Sequence, residues 1–331
     1  MRRPPEFWHG DKDSPWPTVL SPIASVYAHV TRRLREWTRP WQVPVPVLCV
    51  GNLVTGGGGK TPLAMAAATR LAARGVNAHF LTRGYGGREK GPLIVDPRRH
   101  TARDVGDEPL LLARLRPTWV SRDRAAGARA AVAAGAEALI MDDGFQNSSL
   151  KKDMSILAVD GVYGFGNCHT LPAGPLREPL AQGFARADAV VVVGPVLEDT
   201  RVHLPDNLPV LEARLVPGPA AKKLAVNRVV AFAGIARPGK FFETLEDIGC
   251  IIVSRREFPD HHPYKQREIQ NLIAEARTKD ARLVTTAKDA IRLTHEQRLT
   301  VDVLDVNLVF HTPDTFELLL DRLLASKPAT F

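Results

Sequence analysis

The stretch "GNLVTGGGGKTP", Gly51–Pro62, decides the fold. It sets four consecutive glycines and a Lys60-Thr61 pair between an apolar run and a helical one. Where a strand ends and a helix starts, backbone N–H groups lack partners and the helix dipole favours an anion. Gly56, Gly57, Gly58 and Gly59 leave no Cβ in the way of a close main-chain approach. Lys60 would then reach the β- and γ-phosphates of a bound nucleotide, and the Thr61 hydroxyl would ligate Mg2+, with Thr55 and Pro62 bounding the loop. The strict phosphate-loop pattern wants a glycine where this chain has Val54. A plain glycine-rich turn is the competing reading, and the adjoining Lys-Thr pair weighs against it.

Outward from that loop, apolar runs alternate with helical segments. "VPVLCV" leads in, "TPLAMAAATRLAARG" follows as a helix, and "AHFLT", "TWV", "EALIM", "MSILAVD" and "AVVVVG" read as strands. Short continuous apolar runs between helices predict strands buried on both faces, hence a parallel sheet covered by helices. The expected fold class is α/β: a P-loop NTPase-like parallel sheet flanked by helices, with a second, smaller α/β domain. The spacing predicts a polar tail over 1–17, an amphipathic helix within 18–42, a core domain over 43–218 and a second domain over 219–331. "VPGPAAKK", Val216–Lys223, reads as the linker, and "VDVLDVNLVF" as one strand of the second domain.

The chain of 331 residues is 44% hydrophobic and 24% charged, ordinary globular composition with material for a sizeable core. No run reaches the roughly 18 apolar residues of a membrane span. The first residues are too polar and proline-rich for a secretory signal. Cys49, Cys168 and Cys250 are scattered, which suits a reduced cytoplasmic protein rather than a disulfide scaffold. A net charge of +8 favours an anionic partner, and nothing resembling a nucleic-acid motif accompanies it. In "SPIASVYAHVTRRLREWTRPW", Ser21 can cap a helix and Pro22 can take its first position. Val19, Ile23, Val26, Tyr27, Val30, Leu34 and Trp37 recur at helical spacing, and Arg32, Arg33, Arg35 and Arg39 crowd its end. The helix can pack on the protein, or lie on a membrane with its arginines on acidic headgroups.

Four further stretches carry chemistry. "ALIMDDGFQ" ends an apolar strand in Asp142 and Asp143, as a magnesium site beside a phosphate loop needs, although Asp-Asp-Gly alone is a turn signal. "DVGDEP" opens a helix with Asp107 and Glu108, either ordinary dipole partners or a general base. "FPDHHPY" holds two adjacent histidines, His261 and His262, without metal-pair spacing. There a histidine can tune a carboxylate, or the loop can be a plain surface loop. "LPAGPLREP" can bring Arg177 and Glu178 into a cleft or simply connect two elements.

As an ordered set, "GNLVTGGGGKTP", "RGYGG", "VGDEP", "DDGFQ", "LPAGPLREP", "FPDHH" and "TTAKDA" resemble the tetraacyldisaccharide 4′-kinase family of lipid A biosynthesis. The family's phosphate loop also lacks the first glycine, so Val54 stops being an objection. The resemblance implies phosphorylation of the 4′-hydroxyl of an acylated disaccharide 1-phosphate, dependent on ATP and Mg2+, by a peripheral protein on the cytoplasmic face of the inner membrane. It implies Asp107 as catalytic base paired with His261, Lys60 and the loop on the phosphates, and Thr61, Asp142 and Asp143 at the metal. Arg83, Tyr85, Gln146, Arg177 and Glu178 are its expected contacts to the acceptor, Arg83 and Arg177 holding the existing phosphate. It also favours the interfacial reading of the first helix. Asn147 stands where relatives often carry histidine, and Ala287 interrupts "TTAKDA", from which nothing beyond fold is carried over. Two other readings remain at this point, a P-loop kinase of a soluble small molecule and a membrane-associated nucleotide switch. A switch needs no acceptor base, so "VGDEP" and "FPDHH" speak against it.

Overall fold

A computed structural model describes residues 5–9 and 13–326. Helix α1 (Trp16–Trp37) precedes β1 (Val47–Gly51), α2 (Lys60–Ala73), β2 (Ala78–Thr82) and β3 (Leu93–Ile94). Then come α3 (Ala102–Val105), α4 (Asp107–Ala113), β4 (Thr118–Val120), α5 (Arg124–Ala133), β5 (Ala138–Asp142) and β6 (Met154–Asp160). The run closes with α6 (Leu180–Phe184), β7 (Ala189–Val193), α7 (Glu198–Arg201) and β8 (Val210–Pro217). These strands build a sheet ordered β8-β7-β6-β1-β5-β2-β4-β3, parallel except where β3 meets β4. Each of β1, β2, β5, β6 and β7 is buried along its whole length, as continuous apolar runs require. β1 is central, with β5 on one side and β6 on the other. The glycine loop therefore opens at the point where the chain turns to opposite sides of the sheet, the usual place for a ligand crevice.

The second unit holds β9 (Arg228–Ala233), α8 (Pro238–Asp247), β10 (Ile251–Glu257), α9 (Gln266–Thr278), β11 (Arg282–Thr286), α10 (Ala287–Ala290), α11 (His295–Arg298) and β12 (Asp302–Leu304). Its parallel sheet runs β10-β9-β11-β12 and has its own core around Phe232, Phe242 and Leu245.

Three expectations change. "VDVLDVNLVF" is two strands: β12 stays in the small sheet, while β13 (Val306–Phe310) pairs antiparallel with β8 and extends the large sheet to nine strands. Helix α12 (Pro313–Ala325) follows it back, so the second unit ends near residue 304 rather than 331. The cause is apolar area: Phe316, Leu319, Leu320 and Leu323 are buried in the core beneath α2, and Phe316 stacks on Phe310 at 4.2 Å. At roughly 1.5–3 kcal/mol per buried side chain, those four contribute on the order of 6–12 kcal/mol. Second, Val216–Lys223 is the end of β8 followed by a 3-10 turn, and the Gly218 N–H donates to the Asp305 carbonyl at 2.8 Å. Third, α1 starts at Trp16, where Pro17 takes the early position that needs no N–H, so Ser21 and Pro22 lie inside the helix.

Candidate active site between the two sheets

The glycine loop is built by its neighbours. Val54, at the position of the missing glycine, buries its side chain in the core and pairs with Leu176 of "LPAGPLREP". The Thr55 N–H donates to the Pro175 carbonyl at 2.9 Å. Gly56 and Gly59 adopt φ of 118° and 83°, conformations that side chains resist. The Lys60 ammonium donates to the Gly56 carbonyl at 3.0 Å and stands 3.9 Å from Asp143. Burial lowers its pKa against the pull of Asp143. Pro62 lies in the first turn of α2, where it removes no helical bond.

The Thr61 hydroxyl donates to Asp142 Oδ2 at 3.1 Å. Asp142 is buried, and its Oδ1 has no partner among the described residues. Burial, with Asp143 beside it, pushes this carboxyl up to about 7. An orphaned carboxylate oxygen, a hydroxyl and a second carboxylate form a hard oxygen set that suits Mg2+ completed by nucleotide phosphates. Burial acts to raise Asp143, yet Lys60 and Arg177 hold it below the usual carboxylate range.

From Asp143 a polar chain runs back to α1. Arg177 grips both Asp143 oxygens, at 2.8 and 3.2 Å, and donates to Gln146 Oε1 at 3.1 Å. Gln146 Nε2 donates to the Asn52 carbonyl at 3.0 Å and to Glu178 Oε1 at 3.2 Å. Glu178, with 0% of its surface exposed, also receives Arg186 and Arg35. Two expectations are thereby corrected. Glu178 is a sequestered counter-ion with no surface left for an acceptor, and Arg35 turns inward to it rather than toward headgroups.

"RGYGG" and "VGDEP" meet main chain to main chain. Gly106, at φ 90°, lies so close to the Tyr85 carbonyl that a Cβ would collide with it. Tyr85 and Arg83 are exposed beside this junction, and the charge of Arg83 acts on the buried Arg124. Asp107 opens α4, and across the cleft His261 Nδ1 donates to its Oδ2 at 2.6 Å. His261 holds this pose at φ 59°, its N–H donating to the Gly234 carbonyl at 3.1 Å. The bond to Asp107 raises the imidazole pKa against burial. Burial also pushes Asp107 upward, but donors from His261 and Arg292 hold its pKa low. His262 instead stacks on Phe258 and binds Glu268 at 2.9 Å.

Sequence reasoning missed two cations from the segment after β11. Arg292 pairs with Asp107 at 2.6 Å, and Lys288 pairs with Glu108 at 2.9 Å. Glu108 in turn acts on Asp142, and Lys288 on Lys60, so both sheets share one electrostatic site. Asp289, three residues before Arg292, was the available signal. On the other flank, Asp160 at the end of β6 receives Arg237 at 2.7 Å and Lys240 at 3.2 Å from the second unit.

The family model for tetraacyldisaccharide-1-P 4′-kinase matches residues 16–325. A tetraacyldisaccharide 4′-kinase of Rhodospirillum centenum is 52% identical over 327 residues, covering 98% of this chain and 97% of the relative. One of Gluconacetobacter diazotrophicus is 53% identical, covering 96% of this chain and 97% of its own. The crystal structure of LpxK from Aquifex aeolicus in complex with ATP superposes with a TM-score of 0.75 at 27% identity, covering 93% of this chain and 99% of that one. The chain belongs to the tetraacyldisaccharide 4′-kinase family, kinases of the lipid A pathway.

Proposed function

We propose that the cleft transfers the γ-phosphoryl group of ATP to the 4′-hydroxyl of a tetraacyldisaccharide 1-phosphate, with Asp107 as the base. The carrying observation is the Asp107–His261 pair, 2.6 Å apart and contributed by different sheets, on the rim that also holds the glycine loop. A sugar hydroxyl is a weak nucleophile near neutral pH, so a carboxylate must accept its proton as the new O–P bond forms. Asp107 is kept ionised for that task. The transferring group spreads negative charge, which loop N–H groups and Lys60 are arranged to receive. Thr61, Asp142 and Asp143 would hold Mg2+, which neutralises phosphate charge and orients the leaving group when bound. Arg177 keeps the Asp143 carboxylate in place, and Arg83 and Tyr85, exposed at the rim, would meet the acceptor.

The acceptor's acyl chains require a route from a bilayer, and α1 supplies one. Trp16, Val19, Ile23, Val26, Val30, Leu34 and Trp37 form an exposed stripe, with Trp37 77% exposed. Such a stripe beside Arg32 and Arg33 fits binding in the plane of an anionic membrane on its cytoplasmic side. Among the described residues no helix is long and apolar enough to cross a membrane.

The test is turnover of labelled ATP with the disaccharide 1-phosphate in detergent. Asp107→Asn is expected to lower kcat about 100- to 10,000-fold while ATP affinity stays within about twofold. Unchanged kcat removes Asp107 from the mechanism, and activity on a water-soluble sugar alone favours a soluble-substrate kinase.

A further inference from the structure

One oxygen of Asp107 is crowded, and the other, Oδ1, meets no donor among the described residues. His261 Nδ1, Arg292 Nε at 2.8 Å and Arg292 Nη2 at 2.6 Å all meet Oδ2. The arginine is also anchored from behind. Its side chain is 4% exposed, and Nη1 donates to Asp289 Oδ1 and to the Gly234 carbonyl, both at 2.9 Å. Asp289 is buried in turn and accepts from the Gly234 N–H at 2.9 Å, the Tyr264 hydroxyl at 2.8 Å and the Thr286 hydroxyl at 2.6 Å. Gly234, at the end of β9, thus joins Asp289, Arg292 and the His261 backbone in one junction. A planar guanidinium can serve two carboxylates on two of its edges, which an ammonium cannot do at fixed distances.

We infer that Arg292 is a positioning residue for phosphoryl transfer. By occupying Oδ2 from the second sheet, it turns Asp107 so that Oδ1 faces the cleft as the proton acceptor. In the step this serves, the acceptor O–H bond breaks and its proton goes to Oδ1. The acceptor oxygen bonds to the γ-phosphorus, and the bond to the ADP oxygen breaks with its electron pair leaving on ADP. The inference rests on the reading of Asp107 as base. Of the other charged groups facing the pair, only Glu108 has a cation of its own, Lys288, and Asp289 shares Arg292 with Asp107. Asp260 lies 3.7 Å from His261 Nε2. Arg292 is therefore the fixed positive charge that Asp107 feels, beside an imidazole that titrates.

The test compares Arg292→Ala, Arg292→Lys and Asp107→Asn, using ATP and the disaccharide 1-phosphate in neutral detergent. Arg292→Ala is expected to lose about 10- to 100-fold in kcat, with KM for both substrates within about threefold. The acid limb of its kcat profile moves to higher pH, because a carboxylate without its cation protonates more readily. Added guanidinium ion restores part of kcat, which a merely structural loss does not allow. Arg292→Lys keeps the charge and the packing, so its acid limb stays while kcat falls; it carries the test if the alanine variant does not fold. Unchanged kcat in Arg292→Lys, or an unmoved acid limb in folded Arg292→Ala, overturns the inference. If Asp107→Asn retains full turnover, the base reading fails and this one with it. If Asp107→Asn is inactive and the Arg292 variants are normal, this inference alone fails.

Discussion

Replacing Glu178 with alanine tests whether the polar chain from α1 to Asp143 carries weight. The carboxylate is fully enclosed and receives two guanidiniums and one amide. Its removal leaves Arg35, 16% exposed, and Arg186, 35% exposed, facing each other without a counter-ion. Removing one partner of a buried ion pair costs about 3–5 kcal/mol. Arg186 can turn partly to water, so the lower end, about 3 kcal/mol, is the expected value. For a unit of about 200 residues that is roughly 6–12 °C in Tm. The assay is thermal and urea unfolding of Glu178→Ala, Arg35→Ala and the double variant. Because the two side chains share one contact, the double variant should be less destabilised than the sum of the singles, by about 1–3 kcal/mol. Turnover should fall as well, since Gln146 and Arg177 lose their support. A Tm within about 1 °C of the parent, with additive singles, would refute the reasoning.

Serine at Ile23, Val26 and Val30 together should cut co-sedimentation with anionic vesicles at least 100-fold, each side chain being worth up to about 1.5–3 kcal/mol in acyl chains. Unchanged sedimentation would place the membrane contact elsewhere. Asp142→Asn should abolish turnover yet stabilise the nucleotide-free protein. An Asp raised to about 7 binds a proton that the unfolded chain has already lost above its ordinary value near 3.8. Wild-type stability therefore falls relative to the variant as pH rises across that window, by on the order of 2–4 kcal/mol. Urea unfolding at pH 4 and pH 8 checks this, and a gap that does not widen with pH would contradict it.

What could be read in advance followed from residues that main-chain geometry demands. Gly56, Gly59 and Gly106 sit at positive φ where the backbone must turn or touch, so they mark the phosphate loop and the Asp107 helix locally. Uniform apolar runs likewise announced the buried strands. The partnerships that finish the site were not legible, because Arg292 meets Asp107 across 185 residues and Arg35 meets Glu178 across 143, with no periodic trace. "VDVLDVNLVF" hid a change of sheet for a related reason. Both halves are mainly apolar with one polar residue each, Asp302 and Asn307, and only Asp305 separates the two strands. The outward face of α1 could not be decided from spacing, since a stripe bound for lipid and one bound for a core have the same period.

The paired passage of the chain at Gly218 and Asp305 has a mechanical meaning. Residues 219–304 are an insertion carried at the tip of the β8–β13 hairpin, tethered by two adjacent strands bonded to each other. Such a tether is a single pivot. Any rotation about it moves His261 and Arg292 as one body, so Asp107 gains both donors or loses both. If Asp107 is the base, as proposed, the posture of the inserted unit would set its readiness, since both donors travel together.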